Sequence, residues 1–522
     1  MSRAATAFTD DGPWPVDPER MPWRGPVDAL RAQSRAEVPT LVARRRLPPV
    51  GRFTEAVALL GTALAGWALR ERRRGGAGSR AGLSRRLRIA FERLGPSYIK
   101  LGQIVSSGQG LFPEELVAEF RRCRDQVPPE PFDVVRRVVE EDLGAPLDQV
   151  FARFDRECLA AASIAQVHAA RLATGEEVVV KVQRPAVARL VRRDIAAMAW
   201  IAPFLVGRIP VAALANPPAL VELFAETILE ELDFRLEAQN MLDVADVLAR
   251  AGQTIIVVPR PHPVLVTRRV LVMERLGGFR YEDVDGMRAA GVDPAAVVRA
   301  LLIAFLEGAM IFGVFHGDLH GGNLFITSDG RVALFDYGIT ARMDEQERLA
   351  FLRLMMCGAV NDVRGQLVAF RDLGALGPDA DFDAILRALR LDEPIRDPTT
   401  MSGQDLMREI RDVTKGLLAQ GARLPKPLML YVKGMLFFDS AMTHMAPEVN
   451  LFEQLVRVYG YFAERHGDQI HRDVGIDPRL MPVDLEGVRR AMRLEGDVTS
   501  LTQREVNERR QAIQRRLTEP DD

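Results

Sequence analysis

A chain of 522 residues with 48% hydrophobic content can bury more than one core and suggests two or three globular units. A net charge of −2 excludes the broad positive field of a nucleic-acid binder. Three cysteines, Cys123, Cys158 and Cys357, lack metal-ligand spacing and exclude a disulfide scaffold or a zinc site.

Residues 1–50 are rich in Pro, Arg and Ala, and "DGPWPVDPERMPWRGP" is expected to form a disordered arm. The opening "MSRAATAFTDDG" has no apolar run and is not read as a secretory signal. Within 51–82, Ala56 to Leu69 is apolar for 14 residues and is followed by Arg70 and Arg72 to Arg74. A spanning helix needs about 20 apolar residues. Two readings fit: a packed amphiphilic helix, or an in-plane helix whose basic flank touches a membrane. "GGAGSRAG", Gly75 to Gly82, reads as a flexible linker. Residues 83–145 read as a helical extension, broken at Gly95-Pro96 and Pro128-Pro129.

Residues 146–278 open with strands, turn helical over 186–250, and return to short β-branched strands in "TIIVVPRPHPVLVTRRVLVMERLGG". Residues 279–460 read as a second lobe, helical after about residue 292 apart from "NLFITSDGRVALFDYG", a hairpin turning at Asp329-Gly330. Residues 461–522 read as a charged, solvated helical tail. A small β-rich lobe followed by a larger helical lobe is an α+β, bilobal protein-kinase-like plan.

The chemistry concentrates in "FHGDLHGGNLF", Phe315 to Phe325, and "ALFDYGIT", Ala333 to Thr340. Phosphoryl transfer needs magnesium held by oxygen ligands and a group that orients the acceptor. Asp318 and Asn323 match the Asp and Asn of the kinase catalytic loop, and Asp336 takes the place of the metal-binding Asp of the DFG segment. The metal ligands are therefore expected to be Asn323 and Asp336, with Asp318 catalytic and His316 bracing the loop. Lys181, closing "VVVK", fits the strand lysine that pairs with the nucleotide phosphates, and Glu237 in "LEELDFRLEAQN" is its expected carboxylate partner. Glu274 and Leu276 are placed to offer backbone groups to an adenine, with Met273 lining the pocket; a plain strand end is the alternative.

Only five of the 69 basic residues are lysine: Lys100, Lys181, Lys415, Lys426 and Lys433. In a chain that writes arginine elsewhere, a retained lysine hints at a need for a compact ammonium. Chance suffices for Lys415 and Lys426. The glycine-rich nucleotide loop is replaced by Ala160-Ala161-Ala162-Ser163. Alanines restrict φ > 0 and leave a methyl in the phosphate approach, so the loop is expected to tune nucleotide preference and restrain transfer.

"YIKLGQIVSSGQGLFPEEL" holds a Lys-x-Gly-Gln signature at Lys100, Gly102 and Gln103. With "AAASIAQVH", "VVVKVQRP", "ELDF..EA.N" and the catalytic loop, the chain resembles the UbiB (AarF/ADCK) family of atypical kinases. The resemblance implies an N-terminal helical extension folded over the active site, with Lys100 reaching toward Glu231 of a Glu-x-Asp motif completed by Asp233. It also implies ATP or ADP binding with Mg²⁺, restrained protein kinase activity, and support of isoprenoid quinone or other lipid metabolism. The partners expected are a nucleotide and an isoprenoid lipid or quinone precursor; the location expected is cytoplasmic, or peripheral to the inner face of the membrane. The catalytic loop departs from the family pattern at Leu319 and Gly321, where prolines are usual, and at Gly317, where alanine is common. Two other functions compete. A small-molecule kinase of the aminoglycoside or choline type shares "HGDLHGGN" but lacks the Lys-x-Gly-Gln and alanine elements. A non-catalytic, nucleotide-gated lipid-binding scaffold uses the same aspartates for binding alone.

Overall fold

A computed structural model describes residues 7–10, 12–43, 47–49, 51–74, 76–106, 114–123, 128–205, 217–389, 401, 420, 422, 425–494, 498 and 500–518. Lys415 lies outside them. The chain divides into two compact units.

The first unit comprises Met1–Asp246, Val257–Gly277 and Ala333–Ile339. β1 (Phe151–Ala161), β2 (Ala165–Leu172) and β3 (Glu177–Gln183) form an antiparallel meander. After β4 (Ile256–Val257), β5 (Pro261–Val266) and β6 (Val270–Glu274) complete a five-stranded sheet in the order β1-β2-β3-β6-β5. Side chains alternate along a strand. Val178, Val180 and Val182 of β3 therefore face one way and pack with Val270, Val272 and with Val135, Val138 and Val139 of a covering helix, Phe132–Leu143. Lys181 takes the opposite face, level with Val167 on β2 and Leu271 on β6.

The helices of this unit are α1 (Val27–Val42), α2 (Arg52–Arg70), α3 (Gly76–Leu94), α4 (Pro96–Ser106), α5 (Glu114–Phe120), α6 (the covering helix), α7 (Leu147–Val150), α8 (Val187–Leu205), α9 (Pro217–Glu230) and α10 (Phe234–Ala251). Leu83 of α3, Val105 of α4, Leu116 and Phe120 of α5 and the nearby Cys123 form a second core.

The second unit comprises Val247–Ile256, Gly278–Val332 and Thr340–Asp522. β7 (Phe279–Arg280) pairs with β9 (Leu324–Ile326), and β8 (Val314–His316) pairs with β11 (Thr340–Arg342). The expected hairpin leads through Gly330, at φ 80°, into β10 (Val332–Leu334), with the Thr327 amide donating to the Arg331 carbonyl. α11 (Val284–Ala289) precedes α12 (Pro294–Glu307), which runs on into a π turn, Gly308–Phe312. Pro294–Phe312 is apolar and long enough to cross a membrane by composition, yet more than half of it is buried. Its Phe305 packs against Phe315, Tyr431 and Phe438. Its fully buried Glu307 accepts from Gln253 and Tyr461 and meets His466. This is the packing of a core helix.

Two expectations at the N-terminal end are overturned. The Pro/Arg-rich arm, expected to be disordered, carries short turns at Pro18–Arg20 and Pro22–Arg24 and then the 16-residue α1. Its tryptophans supply the missing burial energy: Trp14 and Trp23 are buried, and their indole N–H groups donate to the carbonyls of Pro261 and His262. The glycine linker is the start of α3 instead. Glu71 and Arg86 form a two-bond ion pair at 2.8 and 2.9 Å that clasps α2 to α3. A Cβ at Gly66 would lie 2.4 Å from Arg86, and one at Gly82 would lie 2.6 Å from Glu71, so these two glycines make room for the clasp rather than for flexibility.

Candidate functional site

Lys181 stands on the second face of the sheet, where β3 brings it against α10. Its Nζ donates to both oxygens of Glu237 at 2.7 and 2.9 Å and to Oδ1 of Asp336 at 3.1 Å. The bidentate geometry and short distances are those of a charge-assisted ion pair. Burial works to lower the Lys181 ammonium, but Asp336 and Glu237 overturn it and hold the group well above the usual lysine range. The Phe234 ring, 5.5 Å from Nζ, adds a cation–π contact. Lys181 and Glu237 are 8% and 3% exposed, whereas the Asp336 side chain is 42% exposed, so the aspartate is the member that meets solvent.

Asp336 holds φ 58°, the left-handed region that non-glycine residues rarely enter. The amide of Gly338 donates to its Oδ1 at 3.3 Å. A Cβ on Gly338 would lie 3.1 Å from that oxygen and 3.3 Å from Glu231, a tight fit that a side chain there would meet only if one of the two carboxylates shifted. Asn240, three residues along α10 from Glu237, donates to the Tyr337 carbonyl at 2.8 Å and anchors the same segment. The last residue of "ELDF..EA.N" thus ties the helix that carries Glu237 to the strand end that carries Asp336.

Lys100 of α4 pairs with Glu231 at 3.0 Å. Asp233, the other acid of the Glu-x-Asp motif, is engaged by Arg235 at 2.6 and 2.9 Å. Gly102 has a steric role: a Cβ there would lie 2.6 Å from Cδ1 of Phe120 and 3.3 Å from Sγ of Cys123. Its absence allows α4 to seat against α5. Gln103 is half-buried one residue further on.

The alanine loop closes the β1–β2 hairpin. Ala160 and Ala161 pair with Val167 and Gln166, the Ala162 amide donates to the Ala165 carbonyl at 2.8 Å, and Ser163 is buried. None of the four residues has positive φ, so alanine fits this backbone without strain. Arg184 donates to the Ala162 carbonyl at 3.0 Å and to Glu130 at 3.1 Å, tying the loop to the segment before α6. At the end of β6, the Glu274 amide donates to the Arg260 carbonyl at 2.9 Å, and its carboxylate accepts from Thr9 at 2.5 Å and from the Arg260 amide at 3.2 Å. The Leu276 amide makes no hydrogen bond among the described residues.

The second unit holds the residues that match the kinase catalytic loop by motif. The Asp318 amide donates to Nδ1 of His316 at 3.1 Å, and the Gly322 amide donates to Nδ1 of His320 at 3.1 Å. Both histidines brace the loop by accepting from its backbone. Nδ2 of Asn323 donates to the Asp318 carbonyl at 3.2 Å, which leaves Oδ1 as its acceptor end. The glycine at 321 has a local reason: a Cβ there would lie 2.7 Å from the Tyr281 ring. Lys433, on the helix Lys426–Met445, bonds Oδ1 of Asp318.

Lys433 escaped the sequence reading, although its signal was present in the shortage of lysine. The N-terminal arm also escaped it. Arg24 and Arg31 donate to Gln239 and Asn240 on α10 at 2.8 and 3.3 Å. Two tryptophans in a Pro/Arg-rich stretch were the available hint.

Residues 122–367 match the ABC1 atypical kinase-like domain. An uncharacterised protein of Mycobacterium tuberculosis, Rv0647c, is 36% identical over 378 residues, covering 72% of this chain and 76% of its own length. A probable protein kinase UbiB of Pseudomonas aeruginosa is 32% identical over 384 residues, covering 70% of this chain and 69% of its own. An uncharacterised aarF domain-containing protein kinase of Arabidopsis thaliana, chloroplastic, is 31% identical over 392 residues, covering 70% and 73%. A solved complex of Rv3197 with erythromycin, from Mycobacterium tuberculosis, is 21% identical and covers 66% of this chain and 91% of that one, with a TM-score of 0.36. Kinase-type motifs in order, together with relatives matched over most of their length, place the chain in the ABC1/UbiB family of atypical kinases.

Proposed function

We propose that the chain binds Mg-ATP or Mg-ADP and acts as an atypical kinase or ATPase in isoprenoid quinone or other lipid metabolism. The observation that carries this reading is Lys181, bracketed by Glu237 and Asp336. An ammonium held this firmly offers a fixed positive charge to nucleotide phosphates, and Glu237 keeps it aimed. Asp336 and Asn323, paired by motif order, are the proposed magnesium donors: one is a solvent-reaching carboxylate, the other an amide whose nitrogen is already engaged. Both are oxygen ligands suited to a hard cation. Bound magnesium would neutralise charge on the phosphate oxygens. Asp318 would orient the acceptor, held by Lys433 and the His316 brace.

The Lys100–Glu231 pair supports a restrained kinase over a small-molecule phosphotransferase, because α4 commits a lysine and a buried carboxylate to one another. α2 turns Val57 and Leu69 outward, 45% and 82% exposed, just before a run of arginines. That face supports peripheral contact with the inner face of a membrane by a cytoplasmic protein.

The test is the melting temperature of the full chain with and without Mg-ATP or Mg-ADP, since a ligand that binds only the folded state stabilises it. Both nucleotides should raise it, and Asp336→Asn should abolish the rise. An undiminished rise in the variant would remove Asp336 from the metal role. The lipid half is tested by comparing isoprenoid lipids from cells with and without the gene; identical profiles count against it.

A further inference from the structure

We infer that the first unit carries an anion site separate from Lys181, built to take a small molecule bearing a phosphate or pyrophosphate group. A cavity of about 540 Å³ is lined by five arginines, Arg52, Arg189, Arg192, Arg193 and Arg268. Its size lies within the usual range for small-molecule sites, about 300–1,000 Å³. The remaining lining is short and apolar, with Leu41, Pro49, Ala188 and Ala196, so among the described residues no carboxylate lines it.

The five arginines fall into two classes. Arg52 is held by Asp194 at 2.7 Å and by Glu55 at 2.7 Å, and Arg192 by Glu37 at 2.5 and 2.9 Å. These two form fixed walls. Arg189, Arg193 and Arg268 are exposed and have no ion-pair, hydrogen-bond or ring partner for their side chains among the described residues. A solvated arginine is unremarkable in a chain this rich in them. Three unpaired arginines around one concavity are different, because their like charges repel across it and the carboxylates of Asp194, Glu55 and Glu37 are spent on Arg52 and Arg192.

The placement on α8 adds to this. Arg189, Arg192, Arg193 and Ala196 follow i, i+3, i+4 and i+7 spacing, so one face of the helix carries them all. Arg189 lies in the first turn, which holds no acidic residue. Helix N-termini carry partial positive charge, so a cation there is unfavourable by itself, and a bound anion answers both charges at once. Arginine forks match phosphate oxygens two at a time, and several forks around one concavity suit a multiply charged phosphate or pyrophosphate better than a chloride.

The test is calorimetric titration of inorganic pyrophosphate into the magnesium-free full chain at low salt. Saturable binding is expected in the native chain and in Lys181→Met, and should weaken by about tenfold for each arginine removed in Arg189→Gln/Arg193→Gln/Arg268→Gln. The three positions are exposed, so the triple variant should melt no lower than the native chain, and the matching lysine variant should recover part of the affinity. Native-like affinity in the triple glutamine variant overturns the proposal. So does loss of binding in Lys181→Met, or no binding in the native chain. A second arm assigns the source. Co-sedimentation with phosphatidylcholine vesicles containing phosphatidic acid, competed by pyrophosphate and lost in the triple variant, identifies a lipid headgroup. Pyrophosphate binding without co-sedimentation identifies a soluble phosphoester.

Discussion

Replacing Gly102 by alanine tests why the Lys-x-Gly-Gln signature holds a glycine. The new Cβ would sit 2.6 Å from Cδ1 and 3.0 Å from Cε1 of Phe120, both inside van der Waals contact. Phe120 is 2% exposed, and its ring is pinned edge-on by Phe91 at 5.0 Å, so it cannot swing clear at low cost. Overpacking of this kind costs about 1–3 kcal/mol. Alanine offsets part of that, because it is the better helix former by about 1 kcal/mol. The net expectation is a loss of about 1 kcal/mol in the second core. Urea unfolding followed by tryptophan fluorescence reads this directly, since Trp67 packs against that cluster. The decisive comparison is the double variant with Phe120→Leu. If the ring is the obstacle, Gly102→Ala should cost less in the Phe120→Leu background, with a coupling of about 0.5 kcal/mol or more. Additive effects, or a stabilised single variant, would refute the steric account. The same helix carries Lys100, so a displaced α4 should also loosen the 3.0 Å Lys100–Glu231 pair.

Lys433→Met should lower ATP turnover by about ten- to a hundredfold, the scale of disturbing a positioned acid–base group, while the nucleotide-induced melting shift persists; full turnover in the variant would detach Lys433 from the chemistry. A pH effect is expected at His262, whose Nδ1 accepts the Val264 and Leu265 amides at 3.0 and 2.9 Å and so is held without a proton. Burial pulls His262 down to about 4 from 6.5, so the unfolded chain binds the extra proton between those values. Its stabilising contribution is complete above pH 6.5 and is lost as pH falls toward 4. His262→Asn keeps an acceptor but cannot titrate, so its urea midpoint should fall less between pH 7.5 and 5 than that of the native chain; equal falls would rule the histidine out.

Local patterns in the chain were enough to place β3 and its lysine, the hairpin at Asp329-Gly330, the catalytic-loop brace and the choice of Glu237. In each case the signal is short-range: strand alternation, a φ > 0 turn position, or an acid at the right point of a helix. The same local reading misjudged the Pro/Arg-rich arm and the glycine stretch, though not the apolar helix between them, which is α2. Proline, arginine and glycine there predict disorder only if no other surface repays their ordering, and Trp14 and Trp23 find a distant one while the Glu71–Arg86 clasp joins neighbouring helices. Composition cannot see a partner about 240 residues away. Nor could it separate Lys433 from Lys426, seven residues earlier on the same helix, since only the folded second unit sets one of them against Asp318. The alanine loop divides between the two levels. Sequence identified the substitution, and the tertiary structure shows a hairpin with no left-handed residue, so its alanines satisfy a backbone that never asks for glycine. What a chain states locally, its residue order determines; which cations meet which carboxylates depends on long-range closure, and that is decided only when the cores form.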